Sequence, residues 1–136
     1  MSEIIRVLCV DDELPILNVI RRQLYDEDYE VHTALTAEEG LGILRRVRPV
    51  HVVLSDYRMP GMNGIEFLRR VSHDRPEAVG IIISGFADTP EVKQAMDQHD
   101  LFALLSKPWK AEEMLKTVAE AVALSLAELG KTERRR

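Results

Sequence analysis

The sequence predicts an α/β fold: a doubly wound five-stranded parallel sheet with helices on both faces. Three observations carry that expectation. Five short apolar runs alternate with longer segments whose apolar residues recur at helical intervals. Four of the five runs are near-continuous in apolar residues, as strands covered on both faces are. Helix-opening residues stand at the starts of several of the intervening segments. Five such strand–helix units in one domain's length build a parallel sheet, and right-handed crossovers then fix nearly all of the topology.

In chain order, the first strand is expected over roughly residues 4–10, around Val7-Leu8-Cys9-Val10, and the first helix over roughly 13–26. A second strand at roughly 30–34 leads to a helix at about 37–46. Thr36-Ala37-Glu38-Glu39 reads as a capping box there, with Thr36 and Glu39 satisfying orphan amides. The third strand, roughly 50–55, holds Val52-Val53-Leu54-Ser55 and precedes a helix near 64–73. The fourth, roughly 79–84, precedes a helix near 90–98. Thr89 would cap that helix, with Pro90 in a first turn that needs no amide proton. The fifth, roughly 101–105, holds Phe102-Ala103-Leu104-Leu105 and is followed by a last helix from about 111. Its apolar stripe, Leu115, Val118, Val122, Leu126 and Leu129, runs past what is needed to cover a sheet. Residues 1–124 therefore read as one domain. Residues 125–136 read either as a frayed helix end or as a linker helix leading to a further domain.

At 136 residues, with 46% hydrophobic and 30% charged residues, the composition is that of an ordinary globular domain with a full core. Cys9, the single cysteine, lies in an apolar run and reads as a core residue, which fits a reducing compartment. No apolar stretch approaches the roughly 20 residues of a membrane span. Met1-Ser2-Glu3 lacks the basic start of a signal peptide, so a cytoplasmic location is the default expectation. A net charge of −5 argues against direct nucleic-acid binding, and Arg134-Arg135-Arg136 reads as a solvated tail. His32, His51, His73 and His99 lack metal-ligand spacing and are expected at the surface or at strand edges.

Asp11-Asp12 closes the first apolar run, Asp56 the third, Ser84 the fourth and Lys107-Pro108 the fifth. In an open parallel sheet these ends line one crevice, deepest where strand order reverses between strands one and three. Taken singly, an Asp pair before a helix is turn and capping chemistry, and a Ser or Lys at a strand end is commonplace. Together they are not. Three crowded carboxylates repel one another, and a hard divalent cation removes that repulsion while keeping room for phosphate oxygens. A lysine across the crevice is a point charge for an anionic oxygen, and a serine donates one hydroxyl hydrogen bond.

On these residues the chain resembles the receiver domain of two-component response regulators, across about residues 4 to 124. The matching pieces are Val10-Asp11-Asp12-Glu13, the stretch Leu54-Ser55-Asp56-Tyr57-Arg58-Met59-Pro60-Gly61-Met62-Asn63-Gly64, Ser84-Gly85 and Lys107-Pro108. The resemblance implies a flavodoxin-like strand order, 2-1-3-4-5, shared with chemotaxis regulators. It implies Asp56 as phosphoacceptor, with Asp11, Asp12, Asp56 and the main-chain carbonyl of Arg58 holding Mg²⁺. Lys107 would contact the phosphoryl group and Ser84 would be the switch hydroxyl. Phe102 would be the aromatic that follows Ser84 inward, at a position where receivers frequently carry Tyr. The Lys107-Pro108 peptide bond would be cis. Arg58 and Phe86 would border the attacking water's path. The implied partners are a sensor histidine kinase or phosphotransfer protein, a second copy after phosphorylation, and an output domain. Output would pass through the surface of the fourth helix, fifth strand and fifth helix. Such a domain is not an enzyme in the ordinary sense; it promotes only its own phosphorylation and dephosphorylation. Tyr57-Arg58-Met59-Pro60-Gly61 with Lys107-Pro108-Trp109 further resembles receivers attached to hydrogenase-type transcriptional regulators or cyclic-di-GMP phosphodiesterases. Trp109 reads as a partner anchor or as a lid over the last helix.

Three rivals share parts of this pattern. A flavodoxin-like cofactor binder would cradle a phosphate on a first loop rich in Ser, Thr or Gly, where this chain has Asp11-Asp12-Glu13. A haloacid-dehalogenase-type phosphatase needs Asp-x-Asp after the first strand, and the acids here are adjacent. A receiver-like module that signals by protein contact alone would not need all four chemical groups.

Overall fold

Ile5–Val10 (β1), Tyr29–Ala34 (β2), Val52–Asp56 (β3), Val79–Ser84 (β4) and Ala103–Ser106 (β5) form one parallel sheet in the order β2-β1-β3-β4-β5. The computed structural model describes residues 4–85 and 89–134. Five helices connect the strands: Leu14–Gln23 (α1), Ala37–Arg46 (α2), Gly64–Asp74 (α3), Pro90–Asp97 (α4) and Ala111–Arg134 (α5). Side-chain alternation along the strands divides the core in two. Leu8, Val10, Val53 and Ile82 face α2, α3 and α4, where Leu41, Ile65, Phe67, Val71 and Val92 are buried. Val7, Cys9, Val52, Leu54, Ile81 and Ile83 face α1 and α5, against Leu17, Ile20, Met114, Val118 and Ala121. Both faces of the central strands are thus covered. The Cys9 thiol is fully enclosed and burial pushes its pKa up to about 12, so it packs as an apolar residue.

Several elements differ in detail from expectation. The first helix ends at Gln23, and a single 3-10 turn over Tyr25–Glu27 follows before Asp28 takes a left-handed φ of 55°. β3 begins at Val52, after the cis Arg48–Pro49 bond, and β5 begins at Ala103. Thr36 Oγ1 accepts from the Glu39 amide as expected, but the fully reciprocal capping box belongs to α3. There Asn63 Oδ1 accepts from Glu66 N at 2.9 Å and Glu66 Oε1 accepts from Asn63 N at 3.3 Å. Thr89 caps α4 by accepting from Val92 N. His51 is fully buried rather than superficial. Just before β3, its Nδ1 accepts the Arg6 amide at 3.0 Å, so the ring replaces a backbone acceptor between two strands.

α5 passes residue 124 without a break, and at 24 residues it is about 36 Å long, well beyond the sheet. Ser125 is fully buried and its hydroxyl donates to the Glu77 carbonyl at 2.6 Å. Glu77 in turn takes Nε and Nη2 of Arg75 at 2.9 and 2.7 Å, while Arg75 Nη1 reaches the carbonyls of Leu44 and Val47 at the end of α2. A buried guanidinium thus satisfies the orphan carbonyls of one helix and fixes the chain before β4. Arg75→Ala strands the Glu77 carboxylate and is expected to lower unfolding free energy by about 3 kcal/mol in urea titrations. No helix among the described residues is long and apolar enough to cross a membrane. Met1–Glu3, Phe86, Arg135 and Arg136 lie outside the described residues.

Candidate functional site

Strand register brings the four chemical groups to one edge of the sheet. Val10 pairs with Ser55, Asp56 with Ile83, and Ser84 with Ser106. Asp11, Asp56, Ser84 and Lys107 therefore all stand at the carboxyl ends of adjacent strands. The Asp11 amide donates to Ala34 O and the Lys107 amide to Ser84 O, so the backbone at each strand end is pinned. Asp11 is 2% exposed, and its Oδ1 accepts from the Glu13 amide at 2.8 Å. It is a turn residue and a site residue at once, a pairing the sequence reading treated as alternatives.

Asp11, Asp12 and Asp56 each offer an oxygen within 4.8 Å of the others. Lys107 Nζ lies 3.2 Å from Asp11 Oδ2 and 3.3 Å from Asp56 Oδ1. Three negative charges against one positive leave two uncompensated, which is the charge of a divalent cation. An all-oxygen donor set of carboxylates at one open edge suits a hard ion such as Mg²⁺. Burial first, then the Asp11 carboxylate, push the Asp56 carboxyl above its ordinary range; Lys107 and the Tyr57 amide oppose this without cancelling it. Burial pulls the Lys107 ammonium down, but the charges of Asp11 and Asp56 outweigh it and raise its pKa. Both shifts come from the same crowding.

The connection after β3 is shaped by a glycine. The Gly64 amide donates to Tyr57 O at 2.8 Å, and a Cβ at position 64 would lie 2.1 Å from Asp56 O. Only glycine lets the start of α3 approach the strand end that carries Asp56. The Tyr57 amide donates to Asp56 Oδ1 at 2.9 Å. Beyond the acids, the Lys107–Pro108 bond is cis, and Trp109 Nε1 donates to Gln23 Oε1 on α1 at 2.7 Å. Trp109, Pro108, Ile16 and Val19 line an apolar cleft of about 390 Å³ beside Lys107.

Phe102 is not brought to this edge. It precedes β5 and packs on the α1–α5 core, four residues and so about 13 Å along the strand from Ser106. The β5 side chain packed against the cluster that includes Val92 and Ala95 of α4 is Leu104. An aromatic stands in the expected run, but it falls just before the strand begins, where the alternation of faces does not govern its side chain. Sequence reasoning also missed the hydroxyl of Tyr57, which donates to Glu91 Oε2 on α4 at 2.8 Å. Nothing in the local pattern pairs residues 34 positions apart.

Residues 7–119 match the family described as the response regulator receiver domain. The chain is 40% identical over 116 residues to the hydrogenase transcriptional regulatory protein HoxA of Cupriavidus necator, covering 85% of this chain and 24% of that protein. It thus spans about a quarter of that relative's length. It is 33% identical over 125 residues to a probable chemotaxis protein CheY of Rhizobium etli, covering 90% of this chain and 95% of that one. The fold matches the signal receiver domain of an HD domain-containing protein from Pseudomonas fluorescens Pf-5 with a TM-score of 0.88 at 27% identity, covering 96% of this chain and 95% of the other. A shared sheet order, an acidic edge faced by a lysine and a family match over most of the length agree: the chain belongs to the response regulator receiver domains.

Proposed function

We propose that the chain is a phosphorylation-activated signalling switch that accepts a phosphoryl group on Asp56 from a sensor histidine kinase or a phosphotransfer protein. The observation that carries this reading is the convergence of Asp11, Asp12, Asp56 and Lys107 at one sheet edge. Asp11, Asp12 and Asp56, with the main-chain carbonyl of Arg58, would hold Mg²⁺. When bound, Mg²⁺ offsets the carboxylate repulsion and the charge on the phosphoryl oxygens.

The chain's own groups account for the transfer. An Asp56 carboxylate oxygen attacks the phosphorus in line, a P–O bond forms, and the P–N bond to the partner's imidazole breaks with its electron pair going to the nitrogen. Lys107 is already held between Asp11 and Asp56 and meets the equatorial oxygens without reorganising, so positioning and electrostatics do most of the work. Water later attacks the acyl phosphate, releasing inorganic phosphate and restoring the carboxylate. While it lasts, the group adds negative charge and acceptor oxygens beside Ser84. Ser84 stands one residue beyond the partner of Asp56 in the sheet and offers a hydroxyl at the end of the adjacent strand. Its strand leads into α4, so a shift at Ser84 biases the surface of α4, β5 and α5. On that surface exposed Met96 and Leu124 line a cleft of about 460 Å³, suited to a second copy or an effector. The greater length of the HoxA relative supports an output domain joined through a helix such as α5.

Incubation with acetyl phosphate and Mg²⁺ is expected to add the mass of one phosphoryl group to the chain, with the modified peptide containing Asp56. Chelation with EDTA should abolish the adduct. No adduct under these conditions would overturn the reading and leave a module that acts by protein contact alone.

A further inference from the structure

Glu91 is the second residue of α4, yet its carboxylate is held from the loop after β3. Oε2 accepts from the Tyr57 hydroxyl at 2.8 Å, and Oε1 accepts from Asn63 Nδ2 at 3.4 Å. Both donors are committed elsewhere in ways that matter to the site. Tyr57 is the residue after Asp56, and its amide donates to Asp56 Oδ1, the oxygen that Lys107 also contacts. Asn63 is the reciprocal cap of α3 and precedes Gly64, whose backbone abuts the Asp56 carbonyl. One glutamate of α4 is therefore tied to both ends of the loop that begins at the proposed phosphoacceptor. Burial first, then the Glu91 bond, raise the Tyr57 pKa, so the phenol stays a donor throughout the neutral range.

We propose that Glu91, with Tyr57 and Asn63, is a clamp that holds the start of α4 in the unmodified arrangement, making Glu91 and Tyr57 positioning residues for the switch. The inference rests on Asp56 being the site of modification. The clamp belongs to the arrangement in which Asp56 Oδ1 is shared by the Tyr57 amide and Lys107. A phosphoryl group on Asp56 competes for both donors and draws on Ser84, which Thr89, the cap of α4, follows by five residues. The Tyr57 main chain and the start of α4 are then pulled by the same event, and the Tyr57–Glu91 bond resists it. Clamp strength sets the free-energy gap that modification must overcome.

Removing the phenolic oxygen with Tyr57→Phe deletes the bond to Glu91 and leaves the ring in place. A bond of this kind contributes about 1 kcal/mol, so the unmodified state should lose that preference and beryllofluoride with Mg²⁺ should bind about fivefold more tightly to the full chain. Glu91→Ala, which removes both bonds, should tighten it further, and the double variant should fall short of the sum of the two single effects because the Tyr57–Glu91 bond is already lost. Hydrogen exchange at amides of Val92 to Ala95 should quicken in the free variants, while exchange in α2 stays unchanged. Unchanged or weaker beryllofluoride binding in folded Tyr57→Phe, or additive effects in the double variant, would overturn the clamp. Failure of the wild type itself to bind beryllofluoride would instead overturn the assignment of Asp56.

Discussion

Asp56→Asn is expected to abolish the phosphoryl adduct entirely while making the domain more stable in Mg²⁺-free buffer at neutral pH. The first outcome follows because the amide is not a nucleophile for phosphorus. The second follows from linkage. An acid whose pKa is raised on folding binds its proton more tightly in the native state. That preference stabilises at low pH and is lost as pH rises through the raised pKa, so the ionised Asp56 opposes folding at neutrality. Asparagine keeps an acceptor for the Tyr57 amide and removes the charge facing Asp11. A gain of about 0.5–2 kcal/mol is the usual size for relieving a site kept for function rather than stability. Thermal melts of both proteins at pH 7, with and without Mg²⁺, would test it: the difference should shrink when the ion is added and vanish in acid. A less stable variant at neutral pH would contradict the account. Lys107 behaves oppositely, because its raised pKa gives stability that persists up to its ordinary value of 10.5 and is lost only above it.

Gly64→Ala is expected to damage both stability and phosphorylation. The new methyl group would sit 2.1 Å from Asp56 O and 2.8 Å from Ile82 Cδ1. The Ile82 side chain can turn aside; the carbonyl of a central strand cannot. Either β3 or α3 must shift, at a cost of about 3 kcal/mol, the upper end for overpacking. Because the displaced carbonyl belongs to the phosphoacceptor itself, a shift near 1 Å should slow acetyl phosphate transfer by about 100-fold. Gly42→Ala is the control. Its Cβ meets only the end of Arg46 at 3.7 Å, and in mid-helix it should stabilise by about 0.5–1 kcal/mol without touching transfer. Equal rates in the two variants would show that the close approach at Gly64 is unimportant to the site.

The acids, Ser84 and Lys107 were legible because each closes an apolar run, and in a parallel sheet the ends of runs share an edge whatever the loops do. Cys9 was legible as core because it lies inside an apolar run. Phe102 was not, since the apolar run does not show where the strand itself begins; Phe102 falls just before β5, and Leu104 holds the place beside α4. Arg75 was equally hidden. Its partners are Glu77, two residues on, and the carbonyls of Leu44 and Val47, and no pattern in the sequence announces a cation that closes another helix.

The order of elements, the covered sheet and the membership of the acidic edge were thus determined by the sequence itself, because strand and helix periodicities and crossover handedness are local properties that constrain topology. The tertiary structure decided what no local property carries. It set the distances that turn four groups into one charge cluster, the 2.1 Å clearance that requires Gly64, and the bond from Tyr57 to Glu91. These depend on how closely packed elements approach one another. That is settled by side chains distant in sequence, acting together.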